Sequence, residues 1–170
     1  MLPPLHNQGI TMYLRSFIPD DWQTISRHQY SGMSEDQVKI LISQWNTKQY
    51  SGQYFEQLAI IVDKQVVGYV SLMDQADGIV SEGIEIYTPY RRRGFAYQAL
   101  TLLIQYAMDL GYRTITAQIR QDNAASLALH EKLGFIITDH FINKRGNPVF
   151  TLSLSLRNTA AGAPLHIPSE

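Results

Sequence analysis

At 170 residues the chain has the length of one domain and can bury about 70% of the surface that its unfolded form exposes. Hydrophobic residues make up 45% and charged residues 17%, with a formal net charge of −1, which excludes global disorder and argues against broad electrostatic binding to nucleic acid or an anionic membrane. There is no cysteine, so disulfides, thiolate metal sites and a cysteine nucleophile are excluded; no signal-peptide pattern or apolar run of ~20 residues is seen either, and a soluble cytoplasmic protein is expected.

Residues 1–9 read as a flexible arm and Ile10–Arg15 as a short strand. Pro19, Asp20 and Asp21 suit a helix start, with acidic side chains at the positive end of the helix dipole. Ser34 followed by Gln37 has the form of a capping box, and Val38, Leu41, Ile42 and Trp45 then recur on one helical face. Residues 46–54 are polar and read as a loop. Leu58–Val62 and Val66–Met73 are rich in strand formers around Asp63-Lys64-Gln65, which predicts a hairpin. Ile79–Thr88 reads as a third strand of this group.

The period then changes. Phe95, Ala99, Leu102, Leu103 and Tyr106 line one face of a helix that Gly111 is placed to end. Thr114–Arg120 reads as a strand, Asn123–Leu133 as a short helix stopped by Gly134, and Phe135–Ile142 and Pro148–Leu156 as strands joined by a turn-forming run. The segment 157–170 lacks periodicity and reads as a mobile tail. The fold class is α/β (mixed α+β), with a central mixed sheet of about seven strands and helices on both faces.

The chemically informative stretch runs from Ile84 to Ala96. A strand ends, three arginines follow (Arg91, Arg92, Arg93), and a helix opens at Gly94. A helix N-terminus offers unpaired N–H groups and partial positive charge, so it is suited to phosphate. Gly94 admits close approach of an anion and Ala96 keeps the first turn narrow. The P-loop and G-x-G-x-x-G patterns are missing, so nucleotide hydrolysis and dinucleotide binding lack their signatures. The histidines at 6, 28, 130, 140 and 166 are scattered without H-E-x-x-H, so no metal site is expected.

Arg91-x-x-Gly94-x-Ala96 resembles the [QR]-x-x-G-x-[GA] motif of the GNAT superfamily of N-acetyltransferases. Asn123 to Phe135, ending Leu-Gly-Phe, resembles that family's second motif. The likeness covers about residues 10–156, which the resemblance implies form one GNAT domain using acetyl-CoA as co-substrate. It also implies that amides from Arg92 through Phe95 to Ala96 hold the pyrophosphate, with Arg91 in the motif. The strand edge at Ile86, Tyr87 and Thr88 would pair with the pantetheine arm, and an N–H near Ile86 would polarise the thioester carbonyl. Asn123 and Ser126 would contact the cofactor from the second helix, although Asn123 also reads as an N-cap.

Acetyl transfer needs a neutral amine, and relatives often place a carboxylate on the strand before the motif. The resemblance implies Glu82, nearer to that placement, as the candidate base ahead of Glu85, which strand alternation puts on the opposite face. Either one also reads as a solvated or ion-paired carboxylate. His130 stands where relatives often carry a tyrosine that protonates the leaving thiolate. It is read either as that acid or as a packing residue beside the cofactor. The Leu-His-Glu-Lys-Leu-Gly-Phe ending resembles phosphinothricin-type acetyltransferases, and the Gly83–Ile86 wording resembles ribosomal-protein N-terminal acetyltransferases. The expected function is acetyl transfer to a small-molecule or amino-acid-like amine. A protein N-terminus as acceptor, or a non-catalytic acyl-CoA-binding module, are the alternatives. No nucleic-acid or membrane partner is expected, and a homodimer is open.

Overall fold

The computed structural model describes residues 3–7 and 9–156; the tail expected at 157–170 lies outside them. The described strands are β1 (Leu5–Asn7), β2 (Ile10–Ser16), β3 (Gln49–Tyr50), β4 (Gln53–Val62), β5 (Gln65–Asp74), β6 (Ile79–Ile86), β7 (Thr114–Arg120), β8 (Ile136–Ile142) and β9 (Pro148–Ser155). The helices are α1 (Trp22–His28), α2 (Glu35–Trp45), α3 (Phe95–Asp109) and α4 (Ala124–Lys132). The sheet order is β1-β2-β4-β5-β6-β7-β9-β8, with β3 added to β4. Among the described strands only β6 and β7 pair in parallel. Seven strands are long, as the periodicity predicts, and β1 and β3 are short additions.

Three local differences from the sequence reading have physical causes. Leu5–Asn7, read as part of a loose arm, pairs with β2 across a turn at Gly9. The polar 46–54 stretch holds β3, a two-residue strand folded back on β4 through Gly52. The strand read as reaching Thr88 stops at Ile86, because Pro89 lacks the N–H a ladder needs and Thr88–Tyr90 turns as a 3-10 helix.

The helix ends follow the expected chemistry. Ser34 Oγ accepts from Gln37 N–H (3.3 Å), and Gln37 Oε1 accepts from Ser34 N–H (2.9 Å), closing the capping box of α2. Asp21 accepts from Ile18 N–H and forms a two-pronged pair with Arg15 at 2.7 and 2.9 Å, fixing the entry to α1.

Alternate residues of the strands feed two cores. One face carries Ile60, Val70, Leu72 and Val80 under Ala99, Leu100 and Leu103 of α3. The other carries Ala59, Ile61 and Tyr87 under Ile25, Val38 and Ile42 of α1 and α2. Burying each large aliphatic side chain stabilises by about 1.5–3 kcal/mol, so the two faces hold the helices on opposite sides of β6. Gly68 lets β5 lie close to that strand: a Cβ there would come 2.1 Å from the Glu85 carbonyl oxygen. Among the described residues no helix is long and apolar enough to cross a membrane.

Candidate active site

The site begins with a fork in the sheet. The parallel ladder between β6 and β7 covers only Ile79–Ser81 against Thr114–Thr116. Beyond Ser81 both strands continue, but β6 pairs only with β5 and β7 only with β9. Tyr87 N–H donates to the Val67 carbonyl (2.9 Å) on the β5 side. Backbone groups alternate along an antiparallel pair, so the amides of Ile84 and Ile86 face the open side of the fork. The Ile86 carbonyl accepts from Arg91 Nε at 2.8 Å.

The arginine turn closes one end of the fork. Arg92 and Gly94 both have positive φ (+62° and +76°), and Gly94 is the N-cap of α3 with no side-chain cap. The first N–H groups of α3 are thus left to an external partner. A Cβ on Gly94 would meet nothing within 4 Å: glycine is needed here for its left-handed backbone, and the space beside it is open. The expected residues divide by atom. Phe95 buries its ring in the core, so only its amide is offered. Arg91 latches the strand end. Arg92 is exposed, and Arg93 lines a cavity of about 190 Å³ with Tyr90, Phe95 and Asp63. The Tyr87 ring is buried on the other face, stacked on His28 at 4.6 Å, with its hydroxyl on Gln29, so its side chain does not reach the fork. Thr88 lies in the 3-10 turn rather than on the strand edge.

Two residues expected to act separately are joined. Glu82 Oε1 lies 2.5 Å from His130 Nε2, with side-chain exposures of 3% and 1%. His130 Nδ1–H donates to the Ser126 carbonyl (2.7 Å), and the ring packs edge-on against Phe135 at 5.0 Å. Both ring nitrogens therefore face oxygen, the arrangement an imidazolium satisfies. Burial disfavours the charged ring; the bond to Glu82, its negative charge and the Ser126 carbonyl outweigh this and raise the His130 pKa above its ordinary value. The second carboxylate oxygen of Glu82 is buried with no hydrogen-bond partner among the described residues.

Asn123 caps α4, its Oδ1 accepting from Ser126 N–H at 3.1 Å. Glu85 lies on the opposite face from Glu82, where its carboxylate accepts from the Tyr69 hydroxyl at 3.1 Å. Burial, then the charge and hydrogen bond of Glu85, push the Tyr69 pKa up to about 12, so this hydroxyl stays a donor. Sequence reasoning missed the Ser126 carbonyl and Phe135 as supports of His130. The i, i+4 spacing of Ser126 and His130 on one helix was the available signal.

The chain matches the family described as Acetyltransferase (GNAT) domain over residues 11–136. It is 27% identical over 96 residues to the SPbeta prophage-derived uncharacterized N-acetyltransferase YokL of Bacillus subtilis, covering 55% of this chain and 54% of that one. It is 35% identical over 78 residues to the L-amino acid N-acyltransferase MnaT of Escherichia coli, covering 43% and 45%. The chain thus spans about half the length of the curated relatives it matches. In fold it is similar to RimJ of Mycobacterium smegmatis in complex with CoA-disulfide, with a TM-score of 0.78, 16% identity and coverage of 94% and 88%. It is also similar to yncA of Salmonella typhimurium, a putative acetyltransferase solved with its cofactor acetyl-CoA, with a TM-score of 0.66, 23% identity and coverage of 88% and 96%. Two sequence motifs, a forked mixed sheet and a family match over 11–136 converge: the chain belongs to the GNAT acetyltransferase family.

Proposed function

We propose that the chain transfers the acetyl group of acetyl-CoA to the amine of a small-molecule acceptor by direct attack. The observation that carries this reading is the fork at Ser81, which leaves the buried Glu82 carboxylate beside an opening lined by β6 amides. The α3 N-terminus supports it: uncapped amides, a left-handed Gly94 and open space beside its Cβ fit a pyrophosphate.

When bound, acetyl-CoA supplies an activated acyl carbon and a thiolate leaving group. The amides of Arg92 to Ala96 would bind its phosphates. The outward N–H of Ile86 would donate to the oxyanion that forms when the amine nitrogen attacks the thioester carbon. Asn123 and Ser126 would flank the cofactor from α4. The free oxygen of Glu82 would take the proton that the amine loses as the C–N bond forms. The C–S bond would then break, the thiolate would take a proton from solvent, and Glu82 would release its own to solvent, which restores the carboxylate. His130 would reach the sulfur only by giving up Glu82, so we assign it to holding that carboxylate with a positive charge. Glu85, on the other face, would meet the incoming amine as it approaches the fork.

Small-molecule amines are favoured by similar proteins whose names state their acceptors, among them an L-methionine sulfoximine/L-methionine sulfone acetyltransferase of Pseudomonas aeruginosa and spermidine N-acetyltransferase of Vibrio cholerae. The test is release of free CoA from acetyl-CoA across amino acids, polyamines and tetrapeptides. Release with a small amine supports the reading. Release with tetrapeptides alone moves the acceptor to a protein N-terminus. Binding of acetyl-CoA without release for any amine makes the chain a binding module.

A further inference from the structure

The fork opens onto two faces of the sheet. Glu82, with α3 and α4, lies on one. The pairing of Ser81 with Thr116 puts Glu85 and Gln118 on the other, on opposite lips of the same gap. On the β7 side of that face, Gln118, Phe141, Ile142, Asn143, Lys144 and Arg145 line an open groove of about 520 Å³.

The groove is built around a rigid turn. Asn143 Oδ1 accepts from the N–H groups of Arg145 (3.0 Å) and Asn147 (2.9 Å), and Asn143 N–H and the Asn147 carbonyl close the turn at 2.9 Å. It presents two exposed cations, Lys144 and Arg145, neither of which forms a salt bridge among the described residues. Phe141 and Ile142 add apolar surface, and Gln118 adds an amide. The other lip has the opposite sign: Glu85 is half-buried and accepts from the Tyr69 hydroxyl, with no cation within salt-bridge distance among the described residues. This face of the sheet thus carries a carboxylate on the β6 side of the fork and a basic, partly apolar groove on the β7 side.

We infer that the groove beneath the β8–β9 turn is a subsite for a carboxylate carried by the acceptor, with Lys144 and Arg145 as its specificity determinants. The acceptor is then a zwitterion with an apolar body rather than a polycation, which the two positive side chains repel. This assignment rests on the acetyl-transfer reading and narrows its substrate class.

Matched acceptors test it: amino acids with apolar side chains, the same compounds with the carboxylate converted to an amide, and a linear polyamine. The readouts are free-CoA release and the separate KM values for acceptor and acetyl-CoA. The parent should prefer each acid to its amide and to the polyamine. The double variant Lys144→Ser/Arg145→Ser should raise the KM of the acid about tenfold through loss of charge-assisted hydrogen bonds. The KM values of the amide and of acetyl-CoA should move less than about twofold. If the parent takes amide or polyamine as well as acid, or if the double variant weakens acid and amide alike, the subsite is overturned and acetyl transfer stands. If no amine releases CoA, both are overturned.

Discussion

Two buried glutamates lie in one cross-strand row on the same face of the sheet: Glu56 of β4 pairs with Leu72 of β5, and Leu72 pairs with Glu82 of β6. Their surroundings differ in what is left unsatisfied. Glu56 accepts from the Tyr54 hydroxyl at 2.6 Å and from the Tyr106 hydroxyl at 2.9 Å to each oxygen, with Lys48 at 3.7 Å. Burial, and then the bond and charge of Glu56, push the Tyr106 pKa up to about 12 and that of Tyr54 beyond the ordinary phenol range. Both hydroxyls remain donors. Glu82 has one oxygen on His130 and the other without a partner among the described residues. Burial of a carboxylate alone therefore does not single out the proposed base; the buried oxygen that Glu82 leaves unpartnered among the described residues is what fits it to that proposed role.

The contrast predicts opposite phenotypes for the same substitution. Glu82→Gln should lower kcat on the order of 10²-fold, the scale of a direct proton acceptor, and recover as pH rises and the amine deprotonates unaided. Glu56→Gln should leave kcat within about twofold and destabilise the fold by about 1.5–3 kcal/mol, the range for hydrogen bonds to a charged group, read as a lower denaturant midpoint. Equal kinetic losses in the two variants would erase the distinction.

A smaller effect sharpens the cofactor end. Gly94→Ala must hold a left-handed φ, which costs about 1–2 kcal/mol, and its methyl group enters the open space beside α3. The acetyl-CoA KM should rise about tenfold while the acceptor KM is unchanged. An unaltered cofactor affinity in folded Gly94→Ala would remove this turn from the site.

The Glu82–His130 pair should also appear in stability against pH. The folded-state pKa of His130 is raised, so the pair's contribution is complete below about pH 6.5, the unfolded value, and is lost as pH climbs through the raised one. The parent's Tm should fall across that window, and the His130→Gln variant should show a flatter profile. The smallest effect belongs to Ser126→Ala. Its carbonyl, not its hydroxyl, makes the short bond to His130 (2.7 Å against 3.5 Å), so stability and kcat should change by no more than about 0.5 kcal/mol. A large loss would show that the hydroxyl holds the ring.

Local chemistry was legible in the sequence. The Ser34–Gln37 capping box, the Asn123 cap and the glycine opening α3 each depend on residues a few positions apart, and each stands as read. The opposite faces of Glu82 and Glu85 followed from alternation alone. What alternation could not reveal was the contact across 48 residues that joins Glu82 to His130, which needs β6 and α4 brought together by the sheet and two crossovers. Glu56 was invisible for the same reason: it lies in a polar run, and its partner Tyr106 is 50 residues away. The boundary at Ile86 was misread because Tyr87 and Thr88 are good strand formers, and the proline after them decides the geometry.

The short β6–β7 seam divides the sheet mechanically. β1 to β6 form one leaf and β7 to β9 another, and the two are stitched by three parallel residue pairs at one end. Like a book open at its spine, such a sheet has little of its own to set the angle between its leaves beyond that stitching and the helices packed across it. A guest that pairs with the outward amides of Ile84 and Ile86 acts as an inserted page: it extends the hydrogen-bonded surface across the opening and ties the leaves where the protein does not. Amide exchange at those two residues should slow when acetyl-CoA is present, whereas Val80, already inside the seam, should change little.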